Sequence, residues 1–110
     1  MTFDASQAKP FTLFQPGALQ DALAANSVIL VDVREPGEFE TVRIDGALNL
    51  PLSSFDPSVL PPGEIVLLCG VGKRSRMAAN LCDQAGMQVA GHLEGGLSAW
   101  MQAGLPVLRG

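Results

Sequence analysis

The 110-residue chain is poor in several residue types, and each shortage removes a class of protein. It has two cysteines, Cys69 and Cys82, too few for a disulfide-held scaffold. Lys and Arg number 7 against 11 Asp and Glu, a net charge of −4, and the cations form no stripe. That balance argues against nucleic acid as a partner. No apolar run approaches membrane-spanning length, so no membrane association is expected. Residues Met1 to Ala8 include an acid, Asp4, and lack the basic start and apolar stretch of a secretory signal. Aromatic residues make up 5% of the chain, with one tryptophan, Trp100, and no tyrosine. What is plentiful is aliphatic: 47% of residues are apolar, which excludes a disordered chain. The expectation is a soluble, cytoplasmic protein with one core.

Against that acidic background one stretch stands apart, Cys69-Gly70-Val71-Gly72-Lys73-Arg74-Ser75. It follows Ile65-Val66-Leu67-Leu68, which reads as a buried strand, and leads into a helix from Arg76 to Leu81. A thiol is thereby placed on a strand-to-helix loop, at the sheet edge where ligands bind. Loop amides and the start of the helix dipole favour negative charge there, and Lys73, Arg74 and Arg76 add fixed positive charge. An ordinary thiol is only about 3% ionised at pH 7, so such a setting points to a reactive thiolate rather than a packing residue. Gly70 and Gly72 are expected to let amides turn inward, with Gly72 at positive φ. Cys82 falls on an apolar helical stripe with Met77, Ala78, Leu81 and Ala85, ~12 Å along the axis from the helix start. It reads as a core residue too far from Cys69 for a bridge, and a role as a resolving thiol stays open.

The rest of the chain alternates strands and helices, which predicts a parallel α/β sheet. Phe11 to Phe14 is a short strand; Pro16 opens a helix whose apolar face is Leu19, Ala22 and Leu23. Val28 to Val33 reads as a strand covered on both faces. Glu35 to Phe39 turns into a short helix, Ala47 to Leu50 is a strand, and Phe55 to Leu60 is a loop or single turn. Pro61-Pro62-Gly63 breaks the chain before the Ile65 strand. Gln88 to Leu93 is the last strand and Leu97 to Ala103 the last helix, closed by Gly104. Residues 1–14 read as a leader and first short strand, and residues 15–108 as the domain proper.

Four segments, in order and at proper spacing, carry a family resemblance. They are Asp32-Val33-Arg34-Glu35-Pro36 with Glu38-Phe39; Arg43-Ile44-Asp45-Gly46-Ala47-Leu48-Asn49-Leu50-Pro51; the loop from Cys69 to Arg74; and Leu93-Glu94-Gly95-Gly96-Leu97-Ser98-Ala99-Trp100. From about Gln15 to Leu108 the chain resembles a single-domain rhodanese, a sulfurtransferase. Two positions depart from the family pattern: Arg43 stands where histidine is common, and Gly70 where many members carry a larger or charged residue. The resemblance implies a five-stranded parallel sheet with helices on both faces, and a ping-pong reaction through a persulfide on Cys69. The donor is then a small anion such as thiosulfate, or a persulfide. The acceptor is cyanide, a thiol, or a sulfur-carrier or thioredoxin-like protein. No metal or organic cofactor is needed.

On this reading Cys69 is the nucleophile, and the amides of Gly70, Val71, Gly72 and Ser75 stabilise its terminal sulfur. Arg74, with Lys73, binds the sulfonate oxygens of the donor; an ordinary surface lysine is an equal reading of Lys73. Asp32 and Arg34 are supporting residues, Asp32 accepting loop hydrogen bonds and Arg34 pairing with an acid such as Glu38. His92, the one histidine, is assigned to packing or a turn, because a thiolate already formed needs no general base. Trp100 and Phe39 are expected as core anchors. Two other functions compete. A phosphatase or arsenate reductase needs five residues between cysteine and arginine, and here Ser75 stands at that place. A non-catalytic binding module commonly loses the cysteine, which this chain keeps.

Overall fold

The computed structural model describes residues 10–110, so the reading of residues 1–9 as a leader lies outside the described residues. The element order is β1 (Thr12–Phe14), α1 (Pro16–Ala24), β2 (Ile29–Asp32), α2 (Pro36–Thr41), β3 (Val42–Arg43), β4 (Leu48–Asn49), β5 (Ile65–Leu68), α3 (Lys73–Gln84), β6 (Gly91–Leu93), α4 (Gly96–Gln102) and β7 (Leu108–Arg109). Short 3-10 turns at Leu52–Ser54 and Pro57–Val59 fill the connection before β5. Five strands form one sheet in the order β1-β6-β5-β2-β4, every pair parallel, as the alternating pattern predicts. Thr12–Phe14 is thus an edge strand of the main sheet.

β5 is central because all four of its residues are apolar and both of its faces are covered. Ile65, Leu67 and Cys69 face one cluster, with Ala78 and Cys82 of α3. Val66 and Leu68 face the other, with Leu19 of α1 and Leu97 and Trp100 of α4. The two-residue period of a strand therefore puts the Cys69 side chain on the α3 side of the sheet. In register, Asp32 lies beside Leu68 and Leu67 beside His92, so the residues after β2, β5 and β6 emerge at one edge.

Several local expectations are revised. α3 begins at Lys73, three residues before the expected start, so Lys73, Arg74 and Ser75 are its first turn. Its buried positions are Ser75, Ala78 and Cys82, spaced i, i+3, i+7. Met77 and Leu81 lie roughly 200–240° around from Ser75 and are 56% and 39% exposed, not part of the buried stripe. Ala85 is exposed as well. Trp100 is a core anchor, 2% exposed, its indole N–H donating to the Pro106 carbonyl at 2.9 Å. Phe39 is not: it is half-buried, with the Arg43 guanidinium 5.8 Å from its ring centroid. A two-stranded antiparallel ribbon, Val42 opposite Arg109 and Arg43 opposite Leu108, is an addition that two-residue strands give no pattern to foresee. No helix among the described residues is long and apolar enough to cross a membrane.

Candidate active site

Cys69 follows β5 directly, and its sulfur lies under the loop it begins; the residue is 1% exposed. The sulfur receives two backbone N–H groups, from Gly72 at 3.1 Å and from Ser75 at 3.3 Å. Gly72 is the residue before the first turn of α3 and offers no side-chain cap. The Ser75 amide, in the first helical turn, has no partner along the helix, and the cysteine sulfur takes the place of the capping oxygen. Gly72 sits at φ +105°, which turns its own N–H toward the sulfur and is the left-handed backbone the sequence anticipates at this glycine.

The loop's carbonyls are pulled the other way. Leu97 N–H donates to the Cys69 carbonyl at 2.8 Å and Ser98 N–H to the Gly70 carbonyl at 3.0 Å. This approach depends on Gly96, where a Cβ would stand 2.5 Å from the Cys69 oxygen. The first turn of α4 therefore draws carbonyl oxygens away from the thiol while α3 aims amides at it. The Gly95-Gly96 pair, both at positive φ, makes the close turn from β6 into α4.

The cations around the loop differ in how free they are. Arg74 forms a two-pronged pair with Glu38, at 2.7 and 3.0 Å. The Arg74 hydrogen bond, and the one from the Glu35 backbone, hold the Glu38 carboxyl at about 2, well below the usual carboxylate range, against opposing burial. One guanidinium nitrogen of Arg74 lies 3.2 Å from where a Cβ on Gly70 would be, so the missing side chain leaves room for the guanidinium beside the loop. Arg76 pairs with Glu94 at 3.0 Å. Among the described residues Lys73 has no carboxylate partner. Val71 is exposed, and its amide, like those of Lys73 and Arg74, is not among the groups that reach the sulfur.

Arg34 does not pair with the Glu38 carboxylate as the sequence reading expects. Its guanidinium grips Asp32 instead, at 2.7 to 3.1 Å, and donates to the backbone carbonyls of Glu38 and Val42. Asp32 also accepts the Arg34 backbone N–H at 2.9 Å. Both residues are buried, Asp32 at 0% and Arg34 at 3% exposure, so the pair braces the β2 end of the site and presents no charge to it.

The residue undervalued by sequence reasoning is His92. It is fully buried, and its Nδ1 is 2.7 Å from the Ser75 hydroxyl oxygen. That oxygen lies 3.6 Å from the Cys69 sulfur. On the other side of the ring, Nε2 has no hydrogen-bond partner but faces the Glu94 carboxylate at 3.6 Å. The available signal was Ser75, the polar member of an otherwise apolar buried stripe on α3.

Comparison with known proteins agrees with this architecture. A family model for the rhodanese-like domain matches residues 15–103. The chain belongs to the rhodanese-like family. A Synechocystis sp. protein named as uncharacterized is 44% identical over 108 residues, covering 96% of this chain and 60% of its own length. Thiosulfate sulfurtransferase GlpE of Shewanella oneidensis is 39% identical over 83 residues, 72% of this chain and 81% of that protein. A crystal structure of a rhodanese-related protein from Thermoplasma volcanium shares the fold with a TM-score of 0.79 and 26% identity, over 89% of this chain and 98% of that one.

Proposed function

We propose that the chain is a rhodanese-type sulfurtransferase that carries sulfane sulfur as a persulfide on Cys69. The observation that carries this reading is the Cys69 sulfur held by the Gly72 and Ser75 amides at the start of α3. Those donors suit a sulfur that bears negative charge both before and after it accepts another sulfur. The Cys69 thiolate attacks the outer sulfur of thiosulfate, the S–S bond breaks, and sulfite leaves with the electron pair. The terminal sulfur of the new persulfide meets the remaining first-turn amides of α3, which have no partners within the helix. Cyanide or an acceptor thiol then attacks that sulfur and returns Cys69. Acceptors of this chemistry include small thiols and a sulfur-carrier or thioredoxin-like protein. The three guanidinium N–H groups of Arg74 not used by Glu38, together with the Lys73 ammonium, serve the sulfonate oxygens. Two unbridged cysteines suit the reducing cytoplasm.

A phosphatase reading is disfavoured by Ser75. The place its arginine would need is taken by a buried hydroxyl engaged with Gly72 and His92. The deciding experiment is intact-protein mass after brief incubation with thiosulfate, for wild type and Cys69→Ser. A gain of ~32 Da in wild type alone, reversed by cyanide, is the expected result. No adduct and no cyanide-dependent sulfite release would instead make the domain a binding module, whose partner affinity Cys69→Ser would leave intact.

A further inference from the structure

We propose that His92, acting through the Ser75 hydroxyl, receives the proton of the Cys69 thiol and returns it when the sulfur is released. The inference rests on Cys69 as the nucleophile and adds a proton path to it. Three contacts define the path: Sγ to Ser75 Oγ at 3.6 Å, Oγ to His92 Nδ1 at 2.7 Å, and His92 Nε2 to Glu94 at 3.6 Å.

With Cys69 as a thiol, S–H donates to Oγ, the Ser75 O–H donates to Nδ1, and an Nε2–H faces the Glu94 carboxylate. Moving one proton along the chain reverses the first two bonds. Nδ1–H then donates to Oγ, and the Ser75 O–H donates to a thiolate or persulfide. The Gly72 carbonyl, 3.1 Å from Oγ, is a second acceptor for the Ser75 hydroxyl, which turns from it to Nδ1 or to the sulfur along the path. Burial lowers the proton affinity of His92, which keeps the ring neutral at rest and opposes its protonation. Negative charge on the persulfide and the Glu94 carboxylate are what favour the imidazolium once sulfur has been transferred. The Phe11 ring stacks on the imidazole with centroids 5.5 Å apart, covering one face of it.

The step balances. A neutral thiol and thiosulfate give a persulfide anion, sulfite, and a proton lodged on His92. In the return step the acceptor takes the outer sulfur, and the proton passes back to Cys69. The charged and titratable groups facing His92 among the described residues are Arg76 on α3 and Glu94 after β6, and Cys69 is reached only through the Ser75 hydroxyl. Arg76 opposes the imidazolium, and its pairing with Glu94 moderates that opposition. His92 touches no reacting atom, so it is a positioning residue acting through Ser75.

The test is the pH profile of Cys69 alkylation by iodoacetamide, read by peptide mass in wild type, Ser75→Ala and Glu94→Gln. Ser75→Ala keeps the amide that meets the sulfur and removes the hydroxyl with its contacts to Cys69, His92 and the Gly72 carbonyl. Alkylation needs no sulfur donor, so its outcome stands apart from whether thiosulfate loads Cys69. Alkylation of Ser75→Ala is expected to fall about tenfold at pH 6.5 and to converge on wild type at high pH. Buried Cys82, outside the relay, is the internal control and does not move. Glu94→Gln changes the profile in the same direction by a smaller factor. A Ser75→Ala profile that overlays wild type, or is lowered equally at every pH, overturns the proposal. If Ser75→Ala does not fold, an unmoved profile in Glu94→Gln overturns it equally.

Discussion

Arg74 is contested between two anions, the Glu38 carboxylate it grips now and the donor it is proposed to hold. The existing pair is partly exposed, with side-chain exposures of 34% and 42%, so it contributes at most about 1 kcal/mol to the fold. It is better understood as keeping the guanidinium beside the loop in one orientation. Arg74→Ala is therefore expected to leave stability nearly unchanged. It should raise the KM for thiosulfate about tenfold, a typical loss for one charge-assisted contact, and change the KM for an uncharged persulfide donor much less. Steady-state kinetics with both donors checks this; equal losses would assign Arg74 to loop structure. At this scale the sequence was legible for the amides around the Cys69 sulfur and for the positive φ of Gly72, because one short segment holds them. It was not legible for Arg34, whose nearest carboxylate in space turned out to be its neighbour two residues back. Nor was it for His92, which the fold sets beside Ser75 from 17 residues away.

The elements divide the work of building the site. α3 supplies amides to the sulfur, and the first turn of α4 restrains the loop's carbonyls. Gly96 is the point where α4 approaches: its φ of +63° and the 2.5 Å separation between a Cβ there and the Cys69 oxygen leave no room for a side chain. Gly96→Ala is expected to destabilise by more than ~2 kcal/mol, from backbone strain plus displacement of α4. Persulfide formation should fall with it even at low temperature where the variant stays folded. Urea unfolding together with the mass assay separates the two effects. Element types were readable from apolar runs and from Gly and Pro punctuation, and the strand order follows the family. The phase of α3 was not, since Met77 and Leu81 are apolar enough to suggest burial. Ser75 docking beneath the sulfur fixes the rotation of that helix instead. The β3–β7 ribbon was equally hidden, because its pairing joins residues 42–43 to residues 108–109 with no local signal on either side.

For the molecule as a whole, three of seven basic residues fall within the four positions 73–76, against a net charge of −4. Arg74 and Arg76 are answered by Glu38 and Glu94, which leaves Lys73 as the cation at the loop with no carboxylate partner among the described residues. A cation at the start of a helix opposes the helix dipole by a few tenths of a kcal/mol, so Lys73 is not there for the stability of α3. Lys73→Ala is expected to hold or slightly raise the melting temperature. It should also remove most of the salt dependence of persulfide formation from thiosulfate, which stopped-flow rates between low and physiological ionic strength would show. Retained salt dependence would place the steering charge elsewhere. The order of the sheet has a further meaning during synthesis. Thr12–Phe14, among the first described residues to be made, pairs with Gly91–Leu93, among the last. Until β6 and α4 leave the ribosome, neither the imidazole of His92 nor the α4 turn that restrains the loop is in place. The nascent chain thus carries Cys69 without its α4 brace and without its histidine neighbour until β6 and α4 have been made.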